Sequence, residues 1–138
     1  MKPAPFKYHD PRSVKELVAL LAKHENAKLL AGGQSLGPML NFRYVMPDHL
    51  IDLNRIPELA YIRLGAGTLE IGAMTRQRAL ERSDEIRRAC PILADALHWV
   101  GHFQTRNRGT IGGSLAHLDP AAELPGVCAL YDATLNVT

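Results

Sequence analysis

The segment KLLAGGQSLGPML, Lys28 to Leu40, places two adjacent glycines between an apolar run and a second apolar segment. Glycine loses more backbone entropy on folding than any other residue, so such a pair indicates a turn where a Cβ would obstruct a close approach. The run from Ala27 to Ala31 is short and apolar, which predicts a buried strand rather than a helix. Beyond the glycines, Ser35 is a candidate N-cap and Pro38 suits the first turn of a helix. The segment therefore predicts a strand, a glycine turn and a helix, in that order.

The flanking segments extend this unit in both directions. Ser13 and Glu16 have the spacing of a capping box and predict a helix from about Val14 to Lys23. Its apolar face would consist of Val14, Leu17, Val18 and Leu21. The segment HLIDL, His49 to Leu53, predicts a second buried strand. Together these elements predict a small α/β lobe with a parallel strand pair that ends near Pro57.

From Tyr61 the hydrophobic period changes to that of an antiparallel hairpin. Apolar residues alternate on both sides of Gly65-Ala66-Gly67, which predicts two strands joined by a short glycine turn. Thr75 is a candidate cap for a short helix through Glu81, and Pro91 predicts the start of a helix that reaches Val100. The second half is thus expected to be an α+β lobe.

The C-terminal residues end in ATLNVT, which alternates like a strand. A terminal strand without a partner hairpin predicts that the chain is a fragment, or that its second lobe is incomplete.

Composition excludes several classes of protein. The chain has 138 residues, 46% hydrophobic and 22% charged, with a net charge of +2 and no basic stripe, so nucleic acid is not the expected partner. Neither a signal-peptide core nor an apolar run of about 20 residues is present, which predicts a soluble cytoplasmic protein. Cys90 and Cys128 are far apart and fit neither a disulfide framework nor a metal-ligand pair, so reduced, buried thiols are expected.

Two glycine pairs have similar surroundings. Gly32-Gly33 and Gly112-Gly113 are each trailed by a serine, Ser35 and Ser114 respectively. Backbone amides in such turns can form an anion nest to which a hydroxyl adds a donor, and two nests would suit a pyrophosphate. The alternative is that each pair only makes a tight turn.

Other polar residues are weaker candidates for a metal or cofactor site. His98 and His102 have the i, i+4 spacing of zinc ligands on a predicted helix, but no third ligand is evident, so packing or surface positions are favoured and no metal site is predicted. His117 and Asp119 are candidates for either a cofactor contact or turn stabilisation. Trp99 is assigned to the core on size alone.

Arginine is concentrated in two stretches. Between Arg76 and Arg88 it is mixed with acidic residues, which favours a solvated helix face, with a docking surface as the alternative. Arg106 and Arg108 could neutralise a phosphate, face a partner or be solvated.

Three motifs together resemble one family. AGGQSL at Ala31 to Leu36, GAMT at Gly72 to Thr75 and TIGGSLAHLDPAAELP at Thr110 to Pro125 are similar to motifs of the flavin-binding medium subunits of the molybdenum hydroxylases. That group includes the medium subunit of carbon monoxide dehydrogenase and the flavin region of xanthine dehydrogenase. The resemblance runs from the N-terminal KPAPFKY to the end of the chain.

The resemblance implies an α+β fold of the vanillyl-alcohol-oxidase-like (PCMH-type) FAD-binding class. It implies an N-terminal α/β lobe over residues 1–57 and a second α+β lobe over residues 58–138, incomplete at its C-terminus. FAD would lie between the two lobes.

The resemblance also assigns cofactor contacts by motif position. The first motif would contribute Leu30, Ala31, Gly32, Gly33, Gln34, Ser35, Leu36 and Gly37 around the pyrophosphate. The second would contribute Thr110, Ile111, Gly112, Gly113 and Ser114, with His117 and Asp119 as further candidates. Glu123 would accept hydrogen bonds from ribose hydroxyls, and Val100 would approach the cofactor.

The implied function is electron relay within a heterotrimer. A molybdopterin large subunit would hydroxylate the substrate, iron-sulfur clusters in a small subunit would carry electrons, and FAD in this chain would pass them to an external acceptor. FAD supplies that chemistry, so no residue here is assigned as an acid, base or nucleophile. The alternatives are a non-enzymatic nucleotide-binding or interaction module, a truncated remnant of the fold, and, less favoured, a single-chain flavin oxidase.

Overall fold

The N-terminal half is built on a three-stranded parallel sheet. The computed structural model describes all 138 residues. Strands β1 (Lys7–His9), β2 (Ala27–Leu30) and β3 (His49–Asp52) lie in the order β1-β3-β2, so β3 is central. The predicted parallel pairing of β2 with β3 is confirmed. Strand β1 was not predicted, because three residues with an exposed, polar pattern give no periodic signal.

Helix α1 (Val14–Lys23) has the predicted bounds and cap. The Ser13 hydroxyl accepts a hydrogen bond from the Glu16 N–H at 3.2 Å. Leu17 is buried against Ile51 and Ile56. The predicted apolar face is only partly correct, because Val18 and Leu21 are exposed and Leu20 packs inward instead.

Helix α2 (Leu36–Asn41) follows the first glycine pair. Ser35 occupies its N-cap position, but the Ser35 side chain makes no capping bond and its backbone is helical, at φ −101° and ψ −51°. An N-cap needs extended backbone to aim its hydroxyl at the first turn. The predicted Ser35 cap is therefore wrong, and the hydroxyl remains available.

The second half contains a hairpin followed by short helices. Strands β4 (Ile62–Gly65) and β5 (Thr68–Ile71) pair antiparallel, as predicted, around a turn in which Ala66 and Gly67 both have positive φ. The helices are α3 (Gln77–Arg82), α4 (Asp84–Ala89), α5 (Pro91–Trp99), α6 (Phe103–Arg108), α7 (Ile111–His117) and α8 (Glu123–Leu130). Two 3-10 turns, Leu53–Arg55 and Pro57–Leu59, connect the parallel sheet to the hairpin.

Some local predictions in this half are wrong. Thr75 does not cap a helix, because its hydroxyl donates to the Tyr61 carbonyl at 2.9 Å and accepts from the Tyr61 N–H at 3.0 Å. Residues 133–138 form no strand. The start of α5 at Pro91 is confirmed.

Two hydrophobic clusters stabilise the molecule. A smaller one lies between α1 and the parallel sheet, and a larger one joins residues of α3, α4, α5, α7 and α8. Helix α5 contributes Leu93 and Leu97, both buried. Trp99 lies two residues beyond Leu97, about 200° around the helix, and 74% of it is exposed, so its assignment to the core is wrong.

The two cysteines are free thiols. Cys90 is buried, as expected, whereas Cys128 is only half-buried. Burial, and secondarily Cys90 nearby, raises the pKa of the Cys128 thiol. No helix has the length and apolar character needed to cross a membrane. The division into lobes at residues 57 and 58 stays a prediction.

Candidate functional site

The motif segments around Ala73 and Gly112 are joined by backbone hydrogen bonds. The Gly112 N–H donates to the Ala73 carbonyl at 2.9 Å, and the Ile111 N–H donates to the Thr75 carbonyl at 3.2 Å. Gly112 also packs tightly here, because a Cβ at this position would lie 2.6 Å from the Ala73 Cβ. The GAMT segment and the second glycine pair thus form one surface.

The first glycine motif lies against the same surface. A Cβ on Gly32 would be 2.4 Å from the carbonyl oxygen of Arg108, and a Cβ on Gly113 would be 3.5 Å from the Ala31 Cβ. Residues 31–33 therefore contact the segment 108–113 directly. The structure brings the two glycine pairs together, although 79 residues separate Gly33 from Gly112 along the chain.

The two positions of the first glycine pair require glycine for different structural reasons. Gly32 is required by its approach to the protein's own backbone at Arg108 and Gly109. Gly33 has φ +72°, the left-handed region that side chains with a Cβ rarely adopt. The close approach expected of this pair is, at Gly32, an approach to protein rather than to a ligand.

The first motif presents a row of uncommitted donors. The backbone N–H groups of residues 32–36 donate to no acceptor in the protein, whereas the Gly37 N–H returns to the Gly33 carbonyl at 2.9 Å. The Gln34 side chain donates to the Gly32 carbonyl at 3.2 Å and so steadies the loop. Gln34 and Ser35 are exposed, and successive backbone N–H groups without a partner in the protein can form an anion-binding concavity, so this loop is suited to an anion.

The second motif is organised differently from the prediction. Gly112 and Gly113 lie in the first turn of α7 rather than in an open turn. The Gly113 N–H donates to the Thr110 hydroxyl at 3.1 Å, and the Ser114 N–H donates to the Thr110 carbonyl at 3.1 Å. With the bonds of Ile111 and Gly112, every amide of this turn is committed, so the second pair does not form an amide nest. Its contribution is a packed wall beside the first motif.

A polar bridge that the sequence analysis missed joins the two motifs. The Asn54 side chain donates to the Ala31 carbonyl at 3.0 Å, and its oxygen accepts from the Arg76 guanidinium, which also donates to the Arg108 carbonyl. Burial, together with the charge of Arg108, lowers the pKa of Arg76. Asn54 follows β3 as Ala31 follows β2, and the carboxyl ends of adjacent parallel strands are a common ligand-binding edge. The position of Asn54 just after a predicted buried strand was therefore the sequence signal that could have indicated this bridge.

A cleft borders this bridge. It has a volume of about 380 Å³, and Asn54, Tyr61, Met74, Thr75 and Arg76 are among the residues that line it. The lining is mostly apolar with a few polar groups, as in small-molecule sites.

The other predicted site residues are spread over the second half. Val100 ends α5, packs on the larger cluster and accepts a hydrogen bond from Arg106 at 3.0 Å. His117 is exposed at the end of α7. Asp119 accepts from the Ala121 N–H at 2.9 Å, which is the turn-stabilising alternative. Glu123 is half-buried at the first position of α8. Contact of these residues with a cofactor stays a prediction.

Arg106 is a structural residue rather than a surface cation. Only 7% of its side chain is exposed, against 13% for Glu81, and its Nε and Nη2 atoms donate to the Glu81 carboxylate at 3.0 and 3.2 Å. Its Nη1 atom donates to the carbonyls of Val100 and Gly101. The phosphate and partner roles for Arg106 are therefore excluded, because all its nitrogens are engaged inside the protein.

Two further expectations are corrected. Arg76 and Glu81 are half-buried and engaged in contacts within the chain, so the stretch from 76 to 88 is not a uniformly solvated face. His98 lies in α5, whereas His102 precedes α6, so they do not share a helix. The zinc spacing considered for them does not apply.

Known proteins are similar to this chain in sequence and in fold. The family model described as the FAD binding domain in molybdopterin dehydrogenase matches residues 4–138. The 6-hydroxypseudooxynicotine dehydrogenase complex subunit alpha of Paenarthrobacter nicotinovorans is 52% identical over 96% of this chain and 45% of its own length. The carbon monoxide dehydrogenase medium chain of Hydrogenophaga pseudoflava is 48% identical over 96% of this chain and 47% of its own length.

Solved structures agree with the sequence matches. The structure of carbon monoxide dehydrogenase from Hydrogenophaga pseudoflava lacking the Mo-pyranopterin moiety has a TM-score of 0.88 and 51% identity, over 91% of this chain and 44% of the solved one. Quinoline 2-oxidoreductase from Pseudomonas putida 86 has a TM-score of 0.88 and 44% identity, with the same coverage of each chain. The chain spans less than half the length of the relatives it matches.

The relatives are subunits of dehydrogenases, and the family model that matches this chain is that of an FAD-binding domain. The predicted family and the α+β FAD-binding fold are confirmed. On the match over residues 4–138, the chain belongs to the FAD-binding domain family of the molybdopterin dehydrogenases.

Proposed function

We propose that this chain binds FAD through residues 31–36 and acts as the flavin-binding part of a molybdenum hydroxylase-type dehydrogenase. The single observation that carries the proposal is the row of uncommitted N–H groups from Gly32 to Leu36. A diphosphate offers only acceptors and negative charge, which is the complement of that row.

The surroundings of the loop support this choice of ligand. The Ser35 hydroxyl makes no capping bond and so adds a possible donor. The guanidinium of Arg76 lies at the joint between the motifs, and its charge favours an anion nearby. The residues present therefore fit a diphosphate at the first motif, with α7 as the opposite wall.

FAD, when bound, supplies the redox chemistry, which is to accept electrons and to pass them to a further acceptor. The chain's own residues bind and orient: the loop amides hold the diphosphate, and the Asn54–Arg76 bridge maintains the relative position of the two motifs. Glu123 is proposed to accept hydrogen bonds from ribose hydroxyls. No step requires a proton from a residue of this chain.

The proposal also includes the electron relay. In it, the flavin-binding part receives electrons from partner subunits and passes them to an external acceptor. The names of the relatives, a medium chain and a complex subunit, favour assembly with other subunits. The proposed partners are those that the family resemblance implies, an iron-sulfur small subunit and a molybdopterin large subunit. The cytoplasmic location stays a prediction.

The test is an FAD titration of the purified protein, followed by flavin fluorescence, with AMP and riboflavin as competitors. Gly33→Val should weaken FAD binding at least tenfold, about 1.4 kcal/mol, because a β-branched residue cannot hold the left-handed loop conformation. Gly126→Ala, where an added Cβ meets no atom within 4 Å, is the matched control and should bind like wild type.

Competition by AMP but not by riboflavin is expected, since the loop is assigned to the phosphates. Equal FAD affinity in wild type and Gly33→Val would overturn the assignment of the loop. Absence of FAD binding by the folded protein would favour the interaction-module alternative.

A further inference from the structure

Three of the six histidines converge on one face of the parallel sheet. They are His9 in β1, His24 after α1 and His49 at the start of β3. One ring nitrogen from each residue lies within 4.8 Å of one from each of the other two, and His9 Nε2 is 2.9 Å from His49 Nδ1. The three rings are stacked, with the His24 and His49 centroids 3.9 Å apart. We call these residues the histidine cluster.

The register of the sheet explains the convergence. Lys7 pairs with His49 and His9 pairs with Ile51 in the parallel ladder. Side chains two residues apart point to the same face, so His9 and His49 are diagonal neighbours on the face that carries Ile51. Helix α1 packs on that face through Leu17, and His24 ends the helix with its N–H bonded to the Leu20 carbonyl. Three separate elements thus deliver one imidazole each.

The surroundings offer the rings no other strong partner. No carboxylate, backbone carbonyl or hydroxyl is hydrogen-bonded to any of the three rings, and all three residues are half-buried. Apart from the His9–His49 contact, no ring nitrogen of the cluster is committed to another group of the protein. Neutral imidazole is the form that binds a metal.

The geometry suits a tetrahedral ion. Bond lengths of about 2.0–2.1 Å to zinc place two ligand nitrogens of a tetrahedral site about 3.3 Å apart. Separations from 2.9 Å to at most 4.8 Å bracket that distance, so side-chain rotations alone could bring all three nitrogens to one ion. Three imidazoles without a carboxylate favour zinc, cobalt, nickel or copper over calcium or magnesium.

We propose that His9, His24 and His49 form a three-imidazole binding site for a divalent transition metal such as Zn²⁺. The fourth position is open to water or another ligand. His49 lies at the start of β3, whereas the candidate FAD-binding loop follows the end of β2, and the two sites share no residue. The ion would join β1, α1 and β3, and by linkage it should stabilise the folded state.

The test uses purified, chelator-treated protein titrated with Zn²⁺ by calorimetry, with thermal unfolding as a second readout. Wild type should bind one equivalent of Zn²⁺ and show a raised Tm. The double variant H24Q/H49N should lose both effects. The matched control H98Q/H102N alters two histidines outside the cluster. It should still bind Zn²⁺ and show the raised Tm.

Co²⁺ provides a spectroscopic readout that general surface binding would not reproduce. Wild type and the control should give the intense visible bands of a tetrahedral site, and H24Q/H49N should not. If the double variant does not fold, H24Q alone decides, since His24 lies outside the sheet ladder.

Two outcomes would overturn the proposal. One is equal Zn²⁺ binding by the cluster variant and the control variant. The other is wild-type protein that shows neither stoichiometric binding nor a tetrahedral Co²⁺ spectrum.

Discussion

Gly32 packs directly on the carbonyl oxygen of Arg108, so closely that a Cβ at Gly32 would lie 2.4 Å from it and 2.8 Å from the Gly109 Cα. The first motif is therefore held against the second by contact between main chains, which cannot move aside as a flexible side chain can. This contact brings the uncommitted amides of residues 32–36 to α7. The candidate site depends on it.

Gly32→Ala should destabilise the fold by about 1–3 kcal/mol, the usual range for overpacking. Gly37→Ala is the matched control, because an added Cβ there meets nothing within 4 Å and alanine is the better helix former. Urea unfolding of both variants measures the difference. Equal stabilities would contradict the contact at Arg108.

Gly33→Ala should lower the free energy of unfolding by about 1–2 kcal/mol, because its φ of +72° is left-handed. Asparagine visits that region more readily, so Gly33→Asn should lose less. Chemical denaturation gives the order glycine, asparagine, alanine from most to least stable. Any other order would show that the loop changes conformation in the variants.

Arg106→Ala should destabilise the protein by about 3–5 kcal/mol, because it leaves the Glu81 carboxylate largely buried with only Arg78 as a partner. Arg87→Ala removes an ion pair with Asp84 whose side chains are 60% and 80% exposed, and it should change stability by less than about 1 kcal/mol. Denaturant midpoints measure both losses. Similar small losses would mean that the Arg106 pair is solvated in solution.

Stability should fall in acid partly through Glu81. Burial by itself raises the pKa of this carboxyl, but hydrogen bonds and charge from Arg106 and Arg78 outweigh it and hold the pKa below its ordinary value of 4.5. The folded state therefore binds this proton less readily than the unfolded state does. The contribution of Glu81 is complete above pH 4.5 and is lost as the pH falls through the lowered folded-state pKa.

The pH dependence of unfolding in wild type and Glu81→Gln checks this assignment. Below pH 4.5 the wild-type curve should fall more steeply than that of the variant, which has no proton to gain at this position. Parallel curves would show that other carboxyl groups account for the acid sensitivity.

Gln77→Met should leave stability unchanged or raise it by up to about 1 kcal/mol. The Gln77 side chain is buried, and its oxygen has no hydrogen-bond partner, so the apolar side chain avoids a desolvation penalty at similar length. Gln77→Glu should be destabilising, because it places a charge at the same point. Thermal unfolding compares the two, and a large loss in Gln77→Met would reveal a partner for that oxygen.

Local signals predicted the elements that are formed locally. The N-cap at Ser13, the glycine turn of the hairpin and Pro91 each lie beside the element they start or join, and each is confirmed, although the Glu16 carboxylate accepts from the Arg12 N–H rather than from Ser13 as in a full capping box. Strand β1 depends on its pairing with β3, which is far along the chain, and the exposure of Trp99 depends on which face of α5 packs on the core. The sequence left Arg106 open between a phosphate, a partner and solvent, because nothing near it indicates that Glu81 would pair with it.

The three motifs by themselves determined the family and its FAD-binding fold, since their residues and separation are a property of the chain. Only the tertiary structure decided what each glycine is for. Gly32 meets the Arg108 backbone, Gly33 takes a left-handed conformation and Gly112 packs on Ala73. The histidine cluster, too, was assembled by sheet register and helix packing from residues 9, 24 and 49. Contacts of this kind depend on distances across the fold, which the spacing of residues along the chain does not specify.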